Sequence, residues 1–195
     1  MTPDASVATR LVSIPRSAAQ TRVITAALEL FAEHGVSGTS LQMIADAIGV
    51  SKAAVYHQFR TKDEIVLATA ETELIGLEAA VEAAEAQEDR LRAREVLLTH
   101  VISLAVERRG MVSALQGDPI MVRLLAEHEP FRHLIDRLYG LLLGENPGPD
   151  TRVPAAMLSA AIGGAVSHPL LADVDDETLR VQLLRFARRL LDLPH

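Results

Sequence analysis

The side chains able to do chemistry are few and widely spaced in this sequence. With seven histidines and no cysteine, a metal would have to be held by imidazole and carboxylate alone. Among His100, His128 and His133 no pair stands four residues apart with a third ligand nearby, so the spacing of a metal site is missing. Nor is there a glycine-rich phosphate loop, a nucleophile elbow or a paired-carboxylate motif. The expectation is therefore of no catalytic residue, no metal and no cofactor, in a protein that is not an enzyme. The histidines then read as partly buried polar residues or as contacts to a small molecule. On that view His100 and His128 are candidate ligand-binding residues. Met111, Met121 and Met157 join them, because flexible thioethers suit an adaptable apolar pocket, although methionine on a helix is more often plain core.

A different chemistry is written into residues 41–59, LQMIADAIGVSKAAVYHQF. Two helices that cross closely need a small residue at the crossing. They also need a turn residue that tolerates positive φ, and an apolar residue on the second helix facing back. Ala45, Gly49 and Val55 stand at those three places, with Val50 and Phe59 expected to be buried beside them. The outward face of the second helix then carries Lys52, Ala53, Tyr56 and His57, a set suited to a DNA major groove. An ordinary helical hairpin with an exposed basic residue would meet the same spacing.

The longer stretch from Arg22 to Glu64, RVITAALELFAEHGVSGTSLQMIADAIGVSKAAVYHQFRTKDE, resembles the DNA-binding domain of TetR-family repressors. The landmarks are Ala26-Ala27, Leu30-Phe31, Gly35, Thr39-Ser40-Leu41, Ile44-Ala45, Gly49-Val50-Ser51, Tyr56, Phe59 and Lys62. The resemblance implies that Gln42, Lys52, Ala53 and Ala54, next to the capping Ser51, approach base edges, with Lys52 donating to guanine N7 or O6. It implies phosphate contacts from Thr39, Ser40, Tyr56, His57, Gln58 and Lys62, with Thr39 and Ser40 at a helix N-terminus whose dipole favours an anion. The chain departs from the family at Ala53, where many members have Gly or Pro, and at Gln58, where many have His. Beyond about residue 70 the resemblance implies architecture only.

These residues need a scaffold, and composition says of what kind. Hydrophobic residues are 49% of the 195, charged residues 23% and aromatic residues 3%, with Ala and Leu abundant, so helix formers far outnumber strand formers. The expected fold is all-α: an N-terminal three-helix helix-turn-helix DNA-binding domain plus a C-terminal helical-bundle ligand-binding and dimerisation domain. Residues 1–15 read as a flexible arm, 16–65 as the DNA-binding domain and 66–195 as the second domain. A first helix is expected over 17–34, ending at Gly35 as a left-handed cap. A second should open with a capping box of Thr39 and Gln42, a third run from Ser51 to Phe59, and a fourth open with Thr61 and Glu64 and run to about residue 86. Further helices are expected over 91–108, 119–126, 130–143, 154–166 and 176–191, with an exposed loop at 144–150.

Charge divides the chain as well. The net charge is −7, yet residues 1–62 hold six basic against four acidic residues and the remainder thirteen against twenty-two, so the two parts suit different partners. So small a basic excess calls for binding as a symmetric pair, which doubles the phosphate contacts. The small-residue segment 155–168, with Ala156, Ser159, Ala160, Gly163 and Gly164, permits close helix approach. Together with the stripe Leu179, Leu183, Phe186 and Leu190 it is expected to form a homodimer interface, and packing within one chain is the alternative. The expected partners are therefore double-stranded DNA with a palindromic operator, a small apolar or amphipathic effector and a second copy, with no membrane. No secretory h-region and no apolar run of about 18–20 residues occurs, which points to a cytoplasmic protein. An enzymatic or carrier bundle with a vestigial DNA module, and a DNA-binding protein with no inducer, are the other classes open at this point.

Overall fold

Most of the helices begin where a side chain can satisfy an unpaired backbone N–H; those starting at Glu129 and Pro149 open instead with a proline in the first turn and no side-chain cap. In the computed structural model, which describes residues 15–109, 112, 118–144 and 146–193, α1 (Ala18–Gly38) opens with a reciprocal capping box. Ser17 Oγ accepts from Gln20 N–H, and Gln20 Oε1 accepts from Ser17 N–H, both at 3.1 Å. The arm expected at 1–15 lies, but for Pro15, outside the described residues, and so does Met111. α1 runs on to Gly38, but Gly35 breaks its helical backbone with φ 72°, so the left-handed residue expected at this position is there and a short turn follows it.

α2 (Leu41–Ala47) is capped by Ser40, whose Oγ accepts from Met43 N–H at 3.2 Å. The capping box expected of Thr39 and Gln42 is therefore corrected by one residue. Thr39 is 1% exposed, and its hydroxyl is spent on the carbonyls of Gly35 and Leu30 at 2.9 and 3.2 Å. α3 (Lys52–Gln58) is capped by Ser51 at both the place and length expected. Thr61 caps α4 (Lys62–Glu85) by accepting from Glu64 N–H at 3.1 Å. The Glu64 carboxylate reaches back one residue further than a capping box requires, to Arg60 N–H at 2.8 Å.

The rest of the chain continues as α5 (Arg90–Glu107), α6 (Pro119–Glu127), α7 (Glu129–Leu143), α8 (Pro149–Val166), a 3₁₀ turn (Pro169–Leu171) and α9 (Asp176–Leu190). α8 starts five residues before the expected position, so the loop expected to reach Asp150 ends at Gly148. Pro149 takes the first helical position, where no N–H is needed, and Pro154 is tolerated inside because it removes one donor from the exposed first turns only. Among the described residues there is no strand, and no helix is long and apolar enough to cross a membrane.

Packing gives the helices two roles. α1, α2 and α3 pack on one another around Phe31, Ile44, Ala45 and Val55, each no more than 1% exposed. α5 is the centre of the bundle and touches α4, α7, α8 and α9. α4 belongs to both groups: it packs on α1 at its start and on α5, α6 and α7 further along. The expected boundary at residues 65 and 66 thus falls inside a continuous helix. Burial of Ile65 and Val66, both 0% exposed, ties the two ends together at roughly 1.5–3 kcal/mol for each side chain.

Polar ties run in parallel with that apolar one. Asp118, the N-cap of α6, accepts from Ile120 N–H at 2.9 Å and from Ser37 N–H of α1 at 2.8 Å. Arg16, just before α1, donates to Glu71 of α4 at 2.5 Å, and Glu71 also stands 3.2 Å from His128 Nε2 at the α6–α7 junction. Within the bundle, Arg137 of α7 is bidentate to Glu85 at 2.9 and 2.8 Å and also donates to the buried Glu78, pinning α7 on α4. Bonding to Glu85, against the opposing cost of burial, holds the guanidinium proton well above its ordinary range.

Candidate nucleic-acid interface and interior cavity

The α2–α3 pair has the geometry that its three marker residues demand. Ala45 and Val55 are 0% exposed, so the helices meet where a larger side chain would hold them apart. Gly49 takes φ 68°, a conformation that costs other residues energy, and Val50 N–H closes the turn on the Ala45 carbonyl at 3.0 Å. Arg22 of α1 donates to the Ile48 carbonyl at 2.9 Å, satisfying an acceptor at the end of α2. Phe59 is buried as expected, while Val50 is half-buried.

This packing turns one face of α3 outward. Ser51, Lys52, Ala53, Ala54, Tyr56 and His57 are all exposed. Lys52 Nζ lies 5.7 Å from the Tyr56 ring centroid, a cation–π contact that holds the ammonium over α3. Gln42 is exposed on α2, with its amide donating to Asp46 at 2.7 Å, which leaves its carbonyl oxygen and second N–H for a base or a water. Ser40 is exposed at the α2 start; Gln58 and Lys62 are half-buried, with Gln58 Oε1 3.5 Å from Ser17 Oγ. Thr39 drops out of the set, since its hydroxyl faces the α1 carbonyls and has no open side for a phosphate.

A second feature lies inside the bundle. A cavity of about 310 Å³ opens between α4, α5, α7 and α8, walled mainly by Leu, Val, Ile and Ala, with Phe131 and Tyr139 among its lining. Among the described residues, its one charged feature is Glu73 of α4 paired with Arg108, which caps the end of α5. None of the described residues expected to bind a ligand lines it. His100 is exposed on α5, with its ring Nδ1 2.8 Å from the Val96 carbonyl. Met121 is 0% exposed in the core, and Met157 is 57% exposed on the far side of α8. His128 is turned to Glu71. These residues were singled out by type, whereas helical phase decides which side chains face inward. The repeat of Leu97, Val101, Leu104, Ala105 and Arg108 along α5 is the signal that marks the true wall. No group of three or more His, Asp or Glu able to hold a metal occurs among the described residues.

The expected dimer residues separate in the same way. Leu179 and Leu183 are 3% and 7% exposed where α9 packs on α5, and Gly163 is buried, so these three are spent within the chain. Ser159 and Gly163 line the cavity. Leu190 is half-buried, packed against the core. Ala156, Ser159, Ala160, Gly164 and Phe186 remain exposed, as do Met157, expected above to bind a ligand, and Val153 and Val181, which the sequence did not single out.

Residues 23–69 match the family model of bacterial regulatory proteins of the tetR family. A regulator named AcrR from Shigella flexneri is 44% identical over 43 residues, which are 22% of this chain and 20% of that protein. The chain spans at most 30% of the length of the curated relatives it matches. Solved structures agree over much more. A TetR-like regulator from Rhodococcus sp. RHA1 superposes with TM-score 0.70 at 20% identity, over 92% of this chain and 98% of that one, which shows a shared fold. NalD from Pseudomonas aeruginosa superposes with TM-score 0.65 at 25% identity, over 88% and 94%. A helix-turn-helix built on Ala45, Gly49 and Val55 and a family model falling on that segment identify residues 23–69 as a DNA-binding segment of the tetR type, and the bundle that follows shares the fold of TetR-like regulators along nearly its whole length.

Proposed function

We propose that the chain is a ligand-responsive transcriptional repressor that binds a palindromic operator as a homodimer and is released by a small apolar or amphipathic effector. The observation that carries this reading is α4: one continuous helix begins at the DNA-binding head with Lys62 and forms the cavity wall with Glu73, Leu74 and Leu77. Eleven residues of helix, a rise of about 16 Å, separate Lys62 from Glu73. Residues 16–65 serve as the head and 66–195 as the sensor and dimer domain in this reading. Two copies joined through the exposed faces of α8 and α9 would set their α3 helices in successive major grooves about 34–36 Å apart. Ser51, Lys52, Ala53, Ala54 and Gln42 would address bases, and Ser40, Tyr56, His57, Gln58 and Lys62 phosphates.

A ligand that fits the cavity better when α4 is tilted shifts the pair toward a wider separation of heads, and DNA binding falls by the same coupling free energy. Support for a repressor comes from NalD, described as the secondary repressor of the MexAB-OprM multidrug efflux pump. The test is selection of genomic fragments by purified protein at physiological salt, followed by footprinting. A protected palindrome supports the reading. No enrichment over non-specific DNA refutes it.

A further inference from the structure

The ion pair at the cavity wall is asymmetric. Arg108 donates to both carboxylate oxygens of Glu73 at 2.9 and 2.8 Å, yet the Glu73 side chain is 8% exposed and that of Arg108 53%. Both residues also line an open cleft on the other side, shared with Leu28 and Glu29 of α1, Glu107, and Arg109, whose guanidinium is paired with Asp176 at 2.5 Å. The pair is thus a partition between the interior cavity and the DNA-binding head. Among the described residues of the cavity wall, the other polar side chains are those of Tyr139 and Ser159.

A charged guest must disturb this pair, and the two signs of charge do so at different cost. An anion on Arg108 draws the guanidinium away and leaves a nine-tenths-buried carboxylate with no counter-charge, the expensive way to break such a pair. A cation on Glu73 keeps the buried carboxylate neutralised. Arg108, already half in water, then moves outward into a cleft that holds the carboxylates of Glu29 and Glu107, the Arg109 guanidinium there being neutralised by Asp176. We infer that the cavity takes a lipophilic cation, an ammonium or similar onium group on an apolar body, whose charge replaces Arg108 on Glu73. This rests on the cavity being the effector site. The displaced guanidinium moves toward Glu29 on α1, so the exchange also reports occupancy to the head.

The experiment titrates the full chain calorimetrically with decyltrimethylammonium, decanoate and decanol below their micelle concentrations, and footprints the selected operator on the same preparations. The cation is expected to bind on the order of tenfold tighter than the other two. Glu73→Gln should erase that preference. Arg108→Gln should tighten the cation, because Glu73 then lacks its resident partner, a gain that a poorly folded variant would not give. A preference for decanoate that Arg108→Gln abolishes overturns the inference, as does equal binding of all three or a cation affinity that Arg108→Gln leaves unchanged or weakens. Operator protection together with any of those results overturns the inference alone. Cation binding without any protected operator overturns the repressor reading and leaves the cavity assignment standing.

Discussion

Asp118→Ala removes one carboxylate that does two jobs. It caps α6 through Ile120 N–H at 2.9 Å, and it receives Ser37 N–H of α1 at 2.8 Å, in a site where Asp118 is 8% exposed. Loss of an N-cap costs about 0.5–2 kcal/mol, and loss of a hydrogen bond to a charged group about 1.5–3 kcal/mol. Because one group makes both, the expected total is about 3 kcal/mol rather than their sum. With a urea slope of about 1–3 kcal/mol/M, the unfolding midpoint should fall by about 1–3 M at fixed protein concentration. Asp118→Asn keeps one oxygen acceptor and should lose about a third of that. The pH dependence is a second reading of the same contact. Burial works to raise this carboxyl, but the N–H groups of Ser37 and Ile120 outweigh it and hold it below its ordinary value. Its stabilising contribution is therefore complete above the unfolded value of about 3.9 and is lost as pH falls through the lower folded value. Wild type and Asp118→Ala should converge in acid. A midpoint change worth less than about 1 kcal/mol, or a difference that persists unchanged to pH values well below 3.9, would refute the strut.

Lys52→Ala and Tyr56→Ala should each weaken operator binding by about 1–3 kcal/mol per half-site while the helical circular dichroism is unchanged; unaltered affinity in both removes α3 as the reading helix. Phe186→Glu places a charge on an apolar side chain that is 44% exposed in the single chain, and sedimentation should show monomer at concentrations where wild type is dimeric. Gly76→Ala should lower amphiphile affinity without unfolding the bundle, because a Cβ there comes 2.9 Å from Leu104 Cδ1 and must push a cavity-lining side chain inward. Calorimetry showing undiminished affinity would mean that Leu104 yields in another direction.

The head was readable residue by residue because its determinants are local. Ser51, Thr61, Gly35 and Gly49 act on backbone groups within a few positions of themselves, and Ala45 and Val55 act across a single tight turn. Where local chemistry offered two candidates the reading slipped, as at Thr39 and Ser40, adjacent hydroxyls of which only one can cap α2. Burial of the other under α1 depends on where α1 turns at Gly35.

In the bundle the sequence by itself determined that there would be helices and roughly where they lie, since prolines, acidic caps and apolar period mark their ends and faces. It could not determine what each face meets. Leu179 and Leu183 carry a stripe that suits a partner subunit equally well, yet α5 takes them within the chain and leaves Phe186 and Val181 exposed. Glu73 and Arg108 stand 35 residues apart and acquire their meaning only as a pair between cavity and head. A helical chain rich in Leu and Ala presents several apolar faces of similar energy, so the choice among them is made by long-range packing, which the three-dimensional arrangement alone decides.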